Sequence, residues 1–390
     1  MKKVLFVVQG FRQGGANRSL QYLIQVLEHS AIQPSIFSLT NQGSYHKLFS
    51  KYDLLDEDFF SSILLSDLSL EKPSFNRIVR WFLRTIFRLL RIMGIPAFTF
   101  FFTKARRRIE QQDFDVVIAF QEGPATTFVA PMRLPLKIAW IHSDYGNYLS
   151  QAGIRPETTI YKQFDKIVCV SEFTSAVFKE LIPSVAAKVS SIPNVIDQDS
   201  IRRQSLAAIT NPDFRTEGAV LLCVGRLDPV KQFTAIPSIA AELKKKGVRF
   251  RWFIIGDGLP SERDAIQSSI LFHDVSDCVV MLGEIENPYP YISKADLMIS
   301  LSLSEACPLG VQEAKILHIP VVATDFGSAW EFVIRGEGGK VVPLAEMTDC
   351  LYRLLSDDES LNAMKQELKY LEFDNERIVR KIEDLLIEAE

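Results

Sequence analysis

Two glutamates, Glu305 and Glu313, eight positions apart, are the side chains of this chain best placed to do chemistry. They lie where a strand-like run, Asp296 to Leu303, gives way to a helix-like run, Leu309 to Leu317. Spacing alone says little, because Glu172/Glu180 and Glu359/Glu367 repeat it. Context says more. Pro308 stands where a helix should open, with φ already fixed and no N–H to leave unpaired. The amides that follow, Leu309, Gly310 and Val311, belong to a helix start, where unpaired N–H groups and a partial positive charge suit phosphate. The flanking carboxylates repel phosphate but accept hydrogen bonds from hydroxyls. The arrangement therefore suits a ligand carrying both phosphate and sugar hydroxyls.

Cations stand at a second strand end, in Val224-Gly225-Arg226-Leu227-Asp228-Pro229-Val230-Lys231. Arg226 by a planar fork and Lys231 as a point charge are suited to neutralising a leaving diphosphate, although Asp228 offers Arg226 a simple surface partner. Gly256-Asp257-Gly258 and Gly283-Glu284-Ile285 end two further strand-like runs. They read either as a frame for a nucleotide base or as turn chemistry. Near the N-terminus, Gly10-Phe11-Arg12-Gln13-Gly14-Gly15-Ala16 joins a strand to a helical run, so Gly14 and Gly15 allow a ligand close to backbone amides, or simply form a tight turn. Its glycine spacing does not fit GxGxxG, which argues against a dehydrogenase. His142 follows the run Lys137 to Ile141, where it could donate to a sugar hydroxyl or sit as an ordinary loop histidine. Asp113-Phe114-Asp115 formally matches a DxD metal motif, but it precedes a strand, so no metal site is expected.

The elements that must position these residues are short apolar runs alternating with helix-period segments, which implies βα units and parallel sheets. In the first half the expected strands are Val4 to Val8, Pro34 to Leu39, Val116 to Phe120, Lys137 to Ile141, Lys166 to Val170 and Lys188 to Ile192. In the second half they are Ala219 to Val224, Arg251 to Ile255, Cys278 to Leu282, Asp296 to Leu301, Pro320 to Ala323 and Gly339 to Val342. A chain of 390 residues exceeds what one core usually supports. The expected organisation is an α/β fold with residues 1–197 as one doubly wound domain, a polar linker over 198–217, a second such domain over 218–372 and a closing helix over 373–390. Two such domains would enclose a cleft at the carboxyl ends of their strands.

At 47% apolar and 24% charged residues the composition is that of a globular protein, not a disordered one. The five cysteines are scattered without a CxxC pair or Cys/His cluster, as expected of reduced core thiols in a cytosolic protein rather than a zinc or disulfide framework. Met1-Lys2-Lys3 before Val4 to Val8 superficially resembles a signal peptide, but the apolar run is too short, so a first core strand is expected.

One segment breaks the pattern. Lys72 to Arg108 holds ten Lys or Arg and no acid, so the remainder of a chain of net charge −4 carries −14. On a helix Arg77, Arg80, Arg84, Arg88 and Arg91 fall within an arc of about 80°. Such a helix is expected to lie on an anionic bilayer with arginines at headgroups and aromatics below. The plainer alternative is a core helix with a solvated arginine face. No recognition motif accompanies the charge, so nucleic acid is not an expected partner.

Taken in order, Val224-Gly225-Arg226-Leu227 with Lys231, Ile254-Ile255-Gly256-Asp257-Gly258, the Glu305 to Glu313 block, and Pro320-Val321-Val322-Ala323-Thr324-Asp325 leading to Glu331 resemble the retaining glycosyltransferases of family 4, which have the GT-B fold. The first half agrees through Gly14-Gly15-Ala16-Asn17-Arg18-Ser19-Leu20, Val170-Ser171-Glu172 and Ile192-Pro193-Asn194-Val195-Ile196-Asp197. Within that family the resemblance is to bacterial enzymes that build capsular or exopolysaccharide units on a lipid carrier. It implies a nucleotide-sugar donor, commonly UDP-linked, a lipid-linked saccharide acceptor and no further cofactor or metal, at the cytoplasmic membrane face. It also implies that Glu305 holds donor-sugar hydroxyls, Glu313 the ribose, Arg226 and Lys231 the diphosphate with amides near Gly310 and Gly15, and that His142 contacts the donor sugar. Where the family often has Gly-Phe-Gly after the first glutamate, this chain has Ala306-Cys307-Pro308. A non-catalytic subunit, an epimerase and an inverting transferase are the competing readings.

Overall fold

The computed structural model describes all residues except 13, 29, 44, 57, 59–60, 62–63, 66–77, 79–80, 87–88, 90–100, 216, 335–337, 372 and 388–390. Thirteen strands form two wholly parallel sheets among the described residues. The first sheet contains β1 (Lys2–Val8), β2 (Ile32–Ser38), β3 (Asp53–Leu54), β4 (Val116–Ala119), β5 (Leu136–Ile141), β6 (Lys166–Cys169) and β7 (Val189–Ser191). Its order is β3-β2-β1-β4-β5-β6-β7. The second contains β8 (Ala219–Val224), β9 (Phe250–Ile255), β10 (Val279–Gly283), β11 (Leu297–Ser300), β12 (Val321–Ala323) and β13 (Gly339–Val341), in the order β10-β9-β8-β11-β12-β13.

Parallel strands covered on both faces must be apolar at nearly every position, and Val4 to Val8 and Val116 to Ala119 are fully buried. Each sheet starts in its middle and grows outward in two directions. The order therefore reverses between β1 and β4 in the first sheet and between β8 and β11 in the second. At such a switch point the connections leave on opposite faces, and the carboxyl ends of the strands are open to ligand.

The chain divides into two compact units, Met1–Ile196 with Asn375–Glu390, and Asp197–Asp374. The stretch 198–217, expected as a linker, is part of the second unit and carries the helix Gln198–Gln204, in which Ile201 is fully buried. Its polarity hid it, because one apolar contact suffices to seat so short a helix. The closing helix, Asn375–Ile387, belongs to the first unit: Asn375 donates Nδ2 to Ile196 O at 2.6 Å, and Leu386 is fully buried.

Of the arginine stripe, Arg77, Arg80, Arg88 and Arg91 lie outside the described residues. Residues 81–86 are helical, with Trp81 and Phe82 61% and 58% exposed. Among the described residues no helix is long and apolar enough to cross a membrane.

Candidate functional site

In the second unit the two sides of the β8/β11 switch carry Lys231 and Glu305. After β8 the chain turns through Pro229–Lys231, which Asp228 caps by accepting Val230 N–H at 3.1 Å. After β11 the loop returns to this turn, with Leu303 N donating to Val230 O at 2.8 Å. That backbone bond sets Lys231 and Glu305 side by side as an ion pair. Ser302, 2% exposed, donates its hydroxyl to the same Glu305 oxygen at 2.8 Å. Thr324 ties the loop further through Ser302 O at 2.6 Å, and Ser328 through Glu305 O at 2.8 Å. Glu305 is thus fixed by its side chain and its carbonyl, while Lys231 lies over Gly225, whose missing Cβ would sit 3.5 Å from Lys231 Cε.

Arg226 does not join this pair. Its guanidinium, 70% exposed, bonds Asp228 at 2.7 Å, which is the surface pairing that the sequence also allowed. Glu313 lies within the helix Leu309–Ile316, is 1% exposed and accepts the Tyr289 hydroxyl at 3.3 Å. A ligand hydroxyl reaching it must compete with Tyr289. Pro308 is the residue just before the helix Leu309–Ile316, one position earlier than the expected first helical turn, with no side chain capping that end. The amides of Leu309, Gly310 and Val311 precede the first i→i−4 bond of this helix, Gln312 N to Pro308 O at 3.3 Å.

The sequence did not point to Lys315, which anchors this helix from below. It is 2% exposed and donates to the carbonyls of Phe332 at 3.2 Å and Val333 at 2.9 Å in the turn Trp330–Ile334. Burial lowers its pKa to about 8.

The glycine-ended loops answer to packing. Gly256 has φ +141° and a Cβ there would lie 1.9 Å from Gly225 O, so only glycine lets the exits of β8 and β9 touch. Beyond the strands the ladder continues, with Leu227 N bonded to Asp257 O at 3.1 Å and Gly256 N to Gly283 O at 2.8 Å. Asp257 pairs with Arg263, which lowers its pKa, and also accepts Gly258 N–H at 2.7 Å. Gly283 closes β10 at φ +74°, with Glu284 exposed and Ile285 half-buried after it. These contacts set the loops after β9 and β10 beside the segment that carries Arg226.

In the first unit, Gly14 precedes and Gly15 opens the helix Gly15–Leu27, again without a side-chain cap among the described residues. Asn17 shapes the loop before it, donating to Gly10 O at 2.9 Å and Arg12 O at 2.6 Å. His142 follows β5, packed 4.5 Å from the Phe120 ring. Its Nε2 is buried without a hydrogen-bond partner among the described residues, and burial lowers its pKa to about 3, so the ring is neutral. Neutral imidazole donates one hydrogen bond from one ring nitrogen and accepts one at the other, but supplies no charge. Its backbone N–H donates to Glu122 Oε2 at 3.0 Å, a carboxylate that the sequence motifs did not bring forward. Asp115 of the DxD motif accepts Lys3 N–H at 2.7 Å, holding the start of the sheet.

Sequence comparison agrees with both halves. The profile described as glycosyltransferase family 4 matches residues 13–200, and that of glycosyl transferases group 1 matches residues 218–357. A Campylobacter jejuni protein named N-acetylgalactosamine-N,N'-diacetylbacillosaminyl-diphospho-undecaprenol 4-alpha-N-acetylgalactosaminyltransferase is 23% identical over 95% of this chain and 94% of its own. An uncharacterized glycosyltransferase of Methanocaldococcus jannaschii is 26% identical over 42% of this chain, a match that spans 41% of that relative's length. Among solved structures, Anabaena HepE in complex with UDP superimposes with a TM-score of 0.70 at 16% identity, covering all of both chains. Sucrose-phosphate synthase of Thermosynechococcus elongatus gives 0.73 at 16%, covering 100% and 99%. With two parallel switch-point sheets and both halves matched, the chain belongs to the family 4, group 1 glycosyltransferases and has the GT-B fold.

Proposed function

We propose that the chain is a retaining, metal-independent glycosyltransferase that moves a sugar from a nucleotide sugar, UDP-linked, to a lipid-linked saccharide in cell-surface polysaccharide synthesis. The observation that carries this reading is the Lys231–Glu305 pair held across a sheet switch point beside the uncapped helix start at Leu309. A nucleoside diphosphate entering there meets the Lys231 charge and the amides of Leu309, Gly310 and Val311, with Arg226 able to swing from Asp228 because it is mostly exposed. As the sugar–phosphate bond breaks, negative charge grows on the departing diphosphate, and fixed donors aimed at it lower the barrier. Releasing Lys231 toward phosphate frees Glu305 to accept donor-sugar hydroxyls. Glu313 takes the ribose in place of Tyr289.

Support for the nucleotide comes from the UDP held by the Anabaena neighbour, and for the carrier from the diphospho-undecaprenol in the Campylobacter relative's name. Exposed Trp81 and Phe82 beside an arginine-rich stretch support attachment to the inner face of the cell membrane. The test is a thermal-shift screen of nucleoside diphosphates and nucleotide sugars, followed by diphosphate-release assays on those that bind. A ligand of the native state raises the melting temperature, so at least one uridine compound should do so. The proposal is wrong if none shifts it and none is turned over.

A further inference from the structure

Glu305 presents two carboxylate oxygens, and its surroundings treat them differently. Oε1 takes both partners, the Lys231 ammonium and, at 2.8 Å, the Ser302 hydroxyl. Oε2 accepts no hydrogen bond among the described residues, and the residue is half-buried rather than sealed. When Lys231 turns toward a diphosphate, Oε1 keeps Ser302 alone. A glutamate side chain has several rotatable bonds, so a carboxylate stripped of every partner would lose its orientation just as a sugar arrives.

Ser302 is placed to prevent that. It follows β11, is 2% exposed, and is held through its backbone. Its carbonyl accepts the Thr324 hydroxyl at 2.6 Å from the loop after β12, and the next residue, Leu303, donates its N–H to Val230 O at 2.8 Å. The neighbouring hydroxyls are engaged elsewhere, Thr324 on Ser302 O and Ser328 on Glu305 O. Among the described residues Ser302 is therefore the one hydroxyl on this carboxylate, and unlike Lys231 it carries no charge that a phosphate would draw away. A hydroxyl bonded to a carboxylate is charge-assisted and directional. It settles which oxygen is occupied, and so which lone pairs are left for a sugar O–H.

We propose that Ser302 is a positioning residue for donor recognition: it holds Glu305 by Oε1 after Lys231 has moved to the diphosphate, so that Oε2 is offered to the hydroxyls of the transferred sugar. This rests on the nucleotide-sugar reading of the same site. Ser302 then matters to ligands that carry a sugar and not to ligands that end at the diphosphate. A hydroxyl that only stabilised the loop would affect both alike.

The test is calorimetric binding, to the full chain, of UDP and of the UDP-linked forms of glucose, galactose, N-acetylglucosamine and N-acetylgalactosamine. Wild type should bind UDP and at least one UDP-sugar. Ser302→Ala should bind UDP within about twofold of wild type and that UDP-sugar about tenfold more weakly, the scale of losing one hydrogen bond to a charged group. Ser302→Thr, which keeps the hydroxyl, should stay within about threefold of wild type on the same ligand. In a Glu305→Ala background, Ser302→Ala should alter UDP-sugar affinity by less than about twofold, because no carboxylate remains to be held. Circular dichroism and melting establish that each variant folds. Ser302→Cys, close in volume but a weak donor, takes the place of an alanine variant that does not fold, with the same expectation. Unchanged UDP-sugar binding, equal losses for UDP and UDP-sugar, a loss that persists without Glu305, or a folded threonine variant as weak as alanine would each overturn the role. Wild type that binds no uridine compound would instead remove the nucleotide-sugar reading, and this role with it.

Discussion

Lys231→Met separates the two roles that the structure gives this lysine. In the resting protein it neutralises Glu305, with the two side chains 26% and 16% exposed. That exposure lies between surface pairs, worth about 0–1 kcal/mol, and fully buried ones, whose breaking costs about 3–5 kcal/mol. Glu305 would also keep the Ser302 hydroxyl, so a loss of about 1–2 kcal/mol is expected. For a unit of this size that lowers the melting temperature by about 3–6 °C. Turnover should fall much further. Removing one preorganised contact to developing charge costs about a hundredfold or more, close to 3 kcal/mol in the barrier. The assay is release of nucleoside diphosphate from the best donor, measured well below the variant's melting temperature, with donor affinity taken separately by calorimetry. Lys231→Arg should recover stability more than rate, because a planar fork replaces a point charge at a site built for the latter. If Lys231→Met turned over within threefold of wild type while melting lower, the lysine would be structural and the diphosphate role refuted.

Gly256→Ala should destabilise the second unit by about 2 kcal/mol or more, because the added methyl meets Gly225 O at 1.9 Å and the φ of +141° is strained for alanine; a melting temperature within 1 °C of wild type would contradict the contact. His142 should make the first unit less stable in acid. The unfolded chain takes up a proton below about pH 6.5 that the native ring refuses until about pH 3, so stability falls as pH drops across that window. Urea titrations at pH 7 and 5 should show wild type losing about 1–2 kcal/mol more than His142→Gln, and equal losses would count against a buried neutral ring. Replacing Arg77, Arg80, Arg84, Arg88 and Arg91 with Gln should release the protein from phosphatidylserine-containing vesicles, at about 1 kcal/mol per charge; co-sedimentation that does not change would rule out electrostatic docking.

The strands were readable because a parallel strand buried on both faces leaves a run of apolar residues, as in Val4 to Val8 and Ala219 to Val224. β3 escaped because Asp53–Leu54 is too short to leave any pattern. The helix Gln198–Gln204 escaped because it buries a single isoleucine. At the site, the individual residues were legible but their partners were not. Nothing in the spacing of Lys231 and Glu305, 74 positions apart, says that they neutralise each other at rest. That follows from β8 and β11 being neighbours across the switch. The contact of Glu122 with His142 N–H was invisible for a related reason: it joins the loops after β4 and β5 through a backbone donor, which leaves no mark on a motif.

The closing helix has a consequence for how the protein is made. Asn375–Ile387 completes the first unit, supplying Leu386 to its interior and receiving Lys2 Nζ on the Leu386 carbonyl at 3.3 Å. On the ribosome the first 196 residues emerge early yet lack that piece, whereas residues 197–374 emerge as an uninterrupted unit. The half that is synthesised second can therefore finish folding first, and the half that is synthesised first must wait with an apolar groove uncovered. Truncation before residue 375 should leave that groove open permanently and favour aggregation of the amino-terminal half, while residues 197–374 remain the better candidate for independent expression.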